Sequence, residues 1–116
     1  MSKIILISGY MCDETIWQST IKTFKKNYEL IIPSLKKYQT VEEAAKNIRR
    51  HIGIDTSIIG FSMGGFISLQ LAIKYPEFIK KLVIVSSNGR GISKIRKVGV
   101  SHGVLCIRAS RFVEAL

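Results

Sequence analysis

The stretch TSIIGFSMGGFISLQLAIKYP, residues 56–76, changes from one periodicity to another within a few residues. Residues 56–60 form a short apolar run that ends in glycine, which predicts a buried strand. From the next glycines onward, apolar side chains recur at helical spacing until Pro76, which cannot continue a helix. The stretch therefore predicts a strand that turns directly into a helix, with the pentapeptide GFSMG at the junction.

This pentapeptide fits the pattern G-x-S-x-G, with Ser62 at its centre. A sharp strand-to-helix turn holds the central residue in a strained conformation and exposes its hydroxyl above the sheet. Gly60 and Gly64 suit this turn, because the backbones on either side approach too closely for bulkier residues. The alternative is that the glycines simply start a helix and the serine has no special role. The position of the pentapeptide between a predicted strand and a predicted helix favours the sharp turn.

Three further apolar runs predict strands over residues 3–8, 28–32 and 81–87. Helical patterns over residues 13–26 and 40–53 lie between them, with Asp13 as the cap of the first. The second opens with a capping box made by Thr40 and Glu43. Short apolar strands that alternate with helices predict an α/β fold. Its core is a parallel, twisted sheet of about four strands with right-handed crossovers and helices on both faces.

The composition changes near residue 89. The whole chain has 116 residues, 18 basic and 8 acidic, for a net charge of +10. Residues 89–116 carry six basic side chains against Glu114 alone, so half of the excess lies in a quarter of the chain. We therefore divide the chain into an α/β part, residues 1–88, and a basic tail, residues 89–116. The tail shows only a weak helical period, from residue 104 onward.

Several functional classes are disfavoured. Cys12 and Cys106 are too few and too far apart for a disulfide framework or a zinc site, and no phosphate-binding loop is present, so we expect no metal and no cofactor. The basic residues are mostly scattered lysines, and the basic tail has Phe112 as its only aromatic residue, which disfavours nucleic acid as a partner. No apolar run approaches the length of a secretory signal or a membrane span. The simplest expectation is a cytoplasmic protein.

A serine that attacks a carbonyl needs two N–H donors for the oxyanion. The residue after the serine, Met63, supplies one, and Tyr10, which follows the turn at Gly9, is placed to supply the other. In a parallel sheet whose order reverses between the first and third strands, both loops open at one crevice. We expect apolar side chains at its mouth, including Met11 and Phe61, which suit a small ester or thioester.

Three segments resemble the α/β-hydrolase superfamily, in particular small carboxylesterase-like members: ILISGYMCDETIW at residues 5–17 with Ile4 before it, the turn at residues 60–65, and YPE followed by LVIV at residues 75–85. The resemblance covers residues 3–88. It implies a partial α/β-hydrolase fold, with the four strands as the family's third to sixth. It also implies Ser62 as nucleophile, and Met63 and Tyr10 as oxyanion-hole amides. Ser8 departs from the family, since many members have histidine there, and residues 34–37 replace a common Asp-x-x-Gly-x-Gly loop.

The catalytic triad is incomplete by the same comparison, because the family order is serine, then acid, then histidine. Downstream of Ser62 the chain offers only Glu77, Glu114 and His102. His51 precedes the serine, and we expect it to be a surface histidine. The sequence therefore predicts a serine ester or acyl hydrolase that is truncated or split, and whether this chain alone is an enzyme stays open.

Alternatives remain at this point. A complementary C-terminal fragment would complete the fold, and either the tail or self-association with a second copy would cover the sheet edge left open after the last strand. The chain would otherwise be a non-catalytic binding module, or the remnant of an enzyme, with a basic tail. A change of reading frame near residue 89 would also explain the shift in composition.

Overall fold

One sheet organises the chain in the computed structural model, which describes residues 2–9, 14–85 and 104–108. Its strands are β1 (Ser2–Ile7), β2 (Tyr28–Ile31), β3 (Thr56–Phe61), β4 (Ile79–Val85) and β5 (Val104–Arg108). The helices are α1 (Gln18–Phe24), α2 (Val41–Ile48) and α3 (Met63–Lys74). Short 3-10 turns at Glu14–Trp17 and Arg49–His51 precede α1 and follow α2. In space the strands follow the order β2-β1-β3-β4-β5.

The four-stranded parallel sheet predicted from the sequence is confirmed. The strand β1 pairs in parallel with both β2 and β3, and β3 pairs in parallel with β4. The chain leaves β1 toward β2 and then crosses back to β3 on the other side, so the strand order reverses between β1 and β3. In sheets of this kind the crevice outside the carboxyl ends of the strands, at the reversal, is where ligands bind.

Both faces of the sheet are covered, as predicted. Successive residues of β1 point to opposite faces. Ile5 and Ile7 pack into the larger core, which holds the buried side chains of α2 and α3. Ile4 and Leu6 pack on the other face with Trp17, against side chains of α1. Burial on both faces explains why β1 reads as an unbroken apolar run rather than as an alternating pattern.

The helix boundaries follow local signals. The Glu43 N–H donates to Thr40 Oγ1 over 3.0 Å, which confirms the predicted cap of α2, while the Glu43 carboxylate accepts from the N–H of Gln39 at 3.1 Å. The helix α3 ends at Lys74, shortly before Pro76, as the sequence predicts. Asp13, the expected cap of the first helix, lies outside the described residues. No helix in the described ranges is long and apolar enough to cross a membrane.

The tail differs from its prediction. The weak helical period predicts a helix from residue 104 onward, and this prediction is wrong for Val104–Arg108, which form β5. This strand is antiparallel to β4, with Ile107 opposite Leu82 and Leu105 opposite Ile84. An edge strand presents a row of unpaired N–H and C=O groups, and pairing with such an edge outweighs a weak local preference for helix. The edge of β4 is therefore covered by the chain itself.

A polar cluster centred on Asp55 joins three segments at the amino ends of the strands. Its carboxylate accepts a hydrogen bond from the Ser2 hydroxyl and lies 3.2 Å from Lys80 Nζ, and its carbonyl accepts from the N–H of Lys3 at 3.3 Å. The hydrogen bond from Ser2, followed by that from Lys80, lowers the pKa of Asp55 below its ordinary value. The ionised carboxylate therefore stabilises the folded chain.

We expect Asp55→Asn to make stability less dependent on pH. A carboxyl group whose pKa is lowered by folding contributes stability above its unfolded pKa, and that contribution is lost as the pH falls through the folded pKa. The φ of 63° at Asp55 is one that asparagine also adopts, so the backbone is unaffected. The urea midpoint of the wild type should be higher than that of the variant at pH 7, and the difference should shrink below about pH 4.

Glu77→Gln is the control, because it removes an exposed carboxylate from the same end of the sheet. A difference between wild type and Asp55→Asn that stayed constant from pH 7 to pH 3 would contradict the role given to the charge.

Candidate active site

Ser62 forms the sharp turn between β3 and α3. Its φ of 57° and ψ of −116° fall where side chains are disfavoured, and Asp55 is the other non-glycine residue with positive φ in the described ranges. The Ser62 N–H donates to the carbonyl of Val85 over 2.8 Å, and its carbonyl accepts from the N–H of Gly65 at 2.9 Å. Because β4 and α3 hold both backbone groups, the packed fold imposes a conformation that costs about 1–3 kcal/mol.

The glycines around Ser62 allow α3 to start directly against the sheet. A Cβ atom on Gly60 would lie 2.5 Å from the carbonyl oxygen of Gly64. A Cβ atom on Gly64 would overlap the carbonyl group of Ile7 and lie 2.7 Å from the carbonyl oxygen of Ser8. Carbon atoms do not approach backbone this closely, so side chains at either position would push α3 away from β1 and β3.

The loop after β1 touches the same turn. A Cβ atom on Gly9 would lie 3.1 Å both from the carbonyl oxygen of Phe61 and from Cβ of Ser62. The predicted meeting of these two loops at one end of the sheet is therefore what the structure has. Tyr10, the expected second donor, lies outside the described residues.

A buried hydrogen bond that sequence reasoning missed fixes the exit of the chain from β1. The indole Nε1 of Trp17 donates to Ser8 Oγ over 3.0 Å, and both residues are about 95% buried. The sequence flagged Ser8 only as a departure from the family's histidine. Trp17 is the residue from which this hydrogen bond could have been predicted. A buried indole N–H needs an acceptor, and the polar side chain at the end of β1 is a suitable one.

The Ser62 hydroxyl is not used by the helix that follows. It caps no N–H of α3, and the residue is only partly buried. Met63 is the first residue of α3, so its N–H has no acceptor within the helix. The start of a helix also carries the positive end of its dipole. Chemically, the turn presents a hydroxyl next to groups that stabilise negative charge on an oxygen.

His51 and Glu77 lie at the far end of the sheet. Lys3 Nζ donates to the carbonyl of His51 over 2.7 Å, and Lys3 is level with Thr56, the first residue of β3. The strand β3 has six residues and is about 17 Å long, and Ser62 follows its last residue. Glu77 precedes Phe78, whose carbonyl accepts from Thr56 N–H. Neither side chain can reach Ser62, and His102 and Glu114 lie outside the described residues.

Strain at Ser62 predicts an unusual gain in stability on substitution. We expect Ser62→Gly to raise the free energy of unfolding by about 1 kcal/mol, because glycine adopts this φ and ψ freely and relief of strain exceeds its entropic cost in the unfolded chain. Ser62→Ala keeps a Cβ atom and serves as the matched control, with little expected change. Urea unfolding of the three proteins measures this. Equal stabilities for the glycine and alanine variants would contradict a strained turn.

Comparisons with known proteins agree with this architecture. A family model described as alpha/beta hydrolase fold matches residues 13–100. The chain is 24% identical to the pimeloyl-(acyl-carrier protein) methyl ester esterase of Vibrio vulnificus strain YJ016, over 97% of this chain and 46% of that protein. It is 30% identical to the esterase of the same name from Legionella pneumophila strain Paris, over 87% of this chain and 44% of that protein. The chain thus spans about half the length of these curated relatives.

Solved structures show the same partial match. An α/β hydrolase enzyme from the metagenome of sediments of the Mar Chica lagoon in Morocco superposes with a TM-score of 0.65 at 26% identity, over 79% of this chain and 48% of that one. Another, from a Medee basin deep-sea metagenome library, gives a TM-score of 0.54 at 31% identity, over 72% of this chain and 35% of that one. Since the family model spans most of the sequence and the parallel sheet agrees with it, the chain belongs to the α/β hydrolase fold family.

Proposed function

We propose that this chain carries the nucleophile of a carboxylic ester hydrolase and that Ser62 is that nucleophile. The observation that carries the proposal is the backbone of Ser62, held at a φ of 57° between β3 and α3. Strained residues of this kind persist only where the surrounding structure determines them, and they cluster at active sites. The turn leaves the Ser62 hydroxyl free of any capping bond to α3.

The oxyanion of the tetrahedral intermediate would be stabilised by two backbone amides. The N–H of Met63 is the first, because it lies next to the nucleophile and has no acceptor within α3. The N–H of Tyr10 is the second, supported by the close approach of Gly9 to Ser62. Removing one such donor typically costs about 10²–10³ in rate.

The substrate we propose is an ester of an acyl chain with a small alcohol. The curated relatives are named as methyl ester esterases of a pimeloyl group on acyl-carrier protein. In this chain the residues before and after Ser62 in sequence, Phe61 and Met63, are apolar and partly buried. Apolar side chains next to the nucleophile would suit an acyl chain.

The proton of the Ser62 hydroxyl needs a base that the described residues do not supply. His51, the one histidine among them, lies at the opposite end of the sheet. We propose that the acid and the base come from the rest of the fold, on a complementary C-terminal fragment. Without them a serine hydroxyl is a poor nucleophile at neutral pH, and rates about 10³–10⁴ above water remain from the oxyanion donors and binding.

A fluorophosphonate probe tests the assignment of Ser62. After prolonged labelling and digestion, mass spectrometry should find the adduct on Ser62 at about 10³ times the rate of the other serines, because the proposed oxyanion donors lie next to Ser62. Ser62→Ala should lose the adduct. Ser19→Ala, which removes an exposed hydroxyl from α1, should leave it unchanged. An adduct spread evenly over the serines, or retained in Ser62→Ala, would remove Ser62 as the nucleophile.

A further inference from the structure

A second concave site lies away from Ser62, between the loop after β2 and the end of α2. The pocket has a volume of about 110 Å³. That is several times the roughly 10–15 Å³ that one water molecule needs and well below the roughly 300 Å³ of a site for a drug-sized ligand. The polar residues that line it are Ser34, Lys37, Tyr38, Asn47, Arg50 and His51.

The positive charges of this pocket are not neutralised by the described part of the chain. Lys37 and Arg50 form no ion pair there, and no carboxylate is among the lining residues. Lys37 Nζ lies 5.5 Å from the centre of the Tyr38 ring. Arg49, which precedes Arg50 in sequence, is engaged elsewhere. Its guanidinium stacks on Tyr75, with 4.5 Å between Cζ and the centre of the ring. Arg50 is therefore the guanidinium available to a ligand.

His51 reports the positive field inside the pocket. Burial lowers its pKa, and the nearby charges of Arg50 and Lys3 lower it further. Arg50 Nε donates to His51 Nε2 over 3.3 Å, so the neutral ring carries its proton on Nδ1. The sequence predicted a surface histidine, and the residue is partly exposed where it lines the cationic pocket.

We propose that this pocket binds a phosphate group, held by Lys37 and Arg50 with the Ser34 hydroxyl and the Asn47 amide as further donors. Two permanent positive charges match a dianion, and the planar guanidinium of arginine matches two oxygens of a phosphate at once. The volume admits one compact group rather than a whole nucleotide. The site shares no residue with the crevice at Ser62, so it stands or falls independently of ester hydrolysis.

Nuclear magnetic resonance of His51 tests the proposal without any activity measurement. The chain has two histidines, so the background variant His102→Gln leaves His51 as the only imidazole signal. Inorganic phosphate is titrated at pH 7 with ionic strength held constant by sodium chloride. We expect a saturable shift of the His51 ring resonances and a rise of its pKa, because a bound dianion offsets the charges of Arg50 and Lys3.

Variants connect that binding to the pocket. Lys37→Gln and Arg50→Gln should each weaken phosphate binding about tenfold, the usual order for a charge-assisted contact. Lys22→Gln is the matched control, since it removes one exposed lysine from α1, which packs on the other face of the sheet. It should leave the dissociation constant within about twofold.

Three results would overturn the proposal. Acetate or chloride alone could produce the same shift of His51, which would indicate screening rather than a phosphate site. Lys22→Gln could weaken binding as much as the pocket variants do, which would indicate the net charge of the chain. Lys37→Gln and Arg50→Gln could both bind phosphate as the parent does, which would place the ion elsewhere.

Discussion

The close approach of backbone to backbone around Ser62 is the constraint on which the rest of the structure depends. Gly64 lies against the carbonyl group of Ile7, Gly9 lies against the Ser62 side chain, and the Ser62 N–H is bonded to Val85. These contacts join β1, β3, β4 and the start of α3 at one point. A Cβ atom would overlap backbone at Gly64 and would crowd Phe61 and Ser62 at Gly9, and this packing holds Ser62 in a strained conformation.

Sheet topology divides the molecule into two ends with different chemistry. The reversal of strand order between β1 and β3 lies at the end of the sheet that holds Ser62, where the start of α3 favours negative charge. The other end holds the polar cluster of Asp55, and the cationic pocket that includes His51 lies between the loop after β2 and the end of α2. The length of β3 separates His51 from the serine, so this histidine does not serve Ser62.

Local patterns in the sequence predicted most of the fold. The strand and helix on either side of Ser62, the cap at Thr40 and the stop before Pro76 depend on neighbouring residues alone, and the structure has all three. Antiparallel pairing of Val104–Arg108 with β4 was missed, because it depends on a partner about twenty residues away in sequence and on an edge that only the folded sheet creates.

The candidate site was predicted less completely than the fold. The pattern G-x-S-x-G predicts the turn at Ser62, but it does not predict contacts between elements that are distant in sequence. The bond from Trp17 to Ser8 joins two elements on one face, and the pocket around His51 joins a loop to the end of a helix. Contacts of this kind appear only once the elements are packed. The roles of Ser62, Met63 and Tyr10 in catalysis remain predictions.

The most direct test of the central constraint is a crystal structure of this chain in which the backbone torsions of Ser62 are measured. A positive φ near 57°, with the Ser62 N–H bonded to the carbonyl of Val85, is the result expected from the packing of β3, β4 and α3. A helical φ at Ser62, with α3 extended back through it and no bond to Val85, would contradict it and remove the structural basis for a nucleophile at this position.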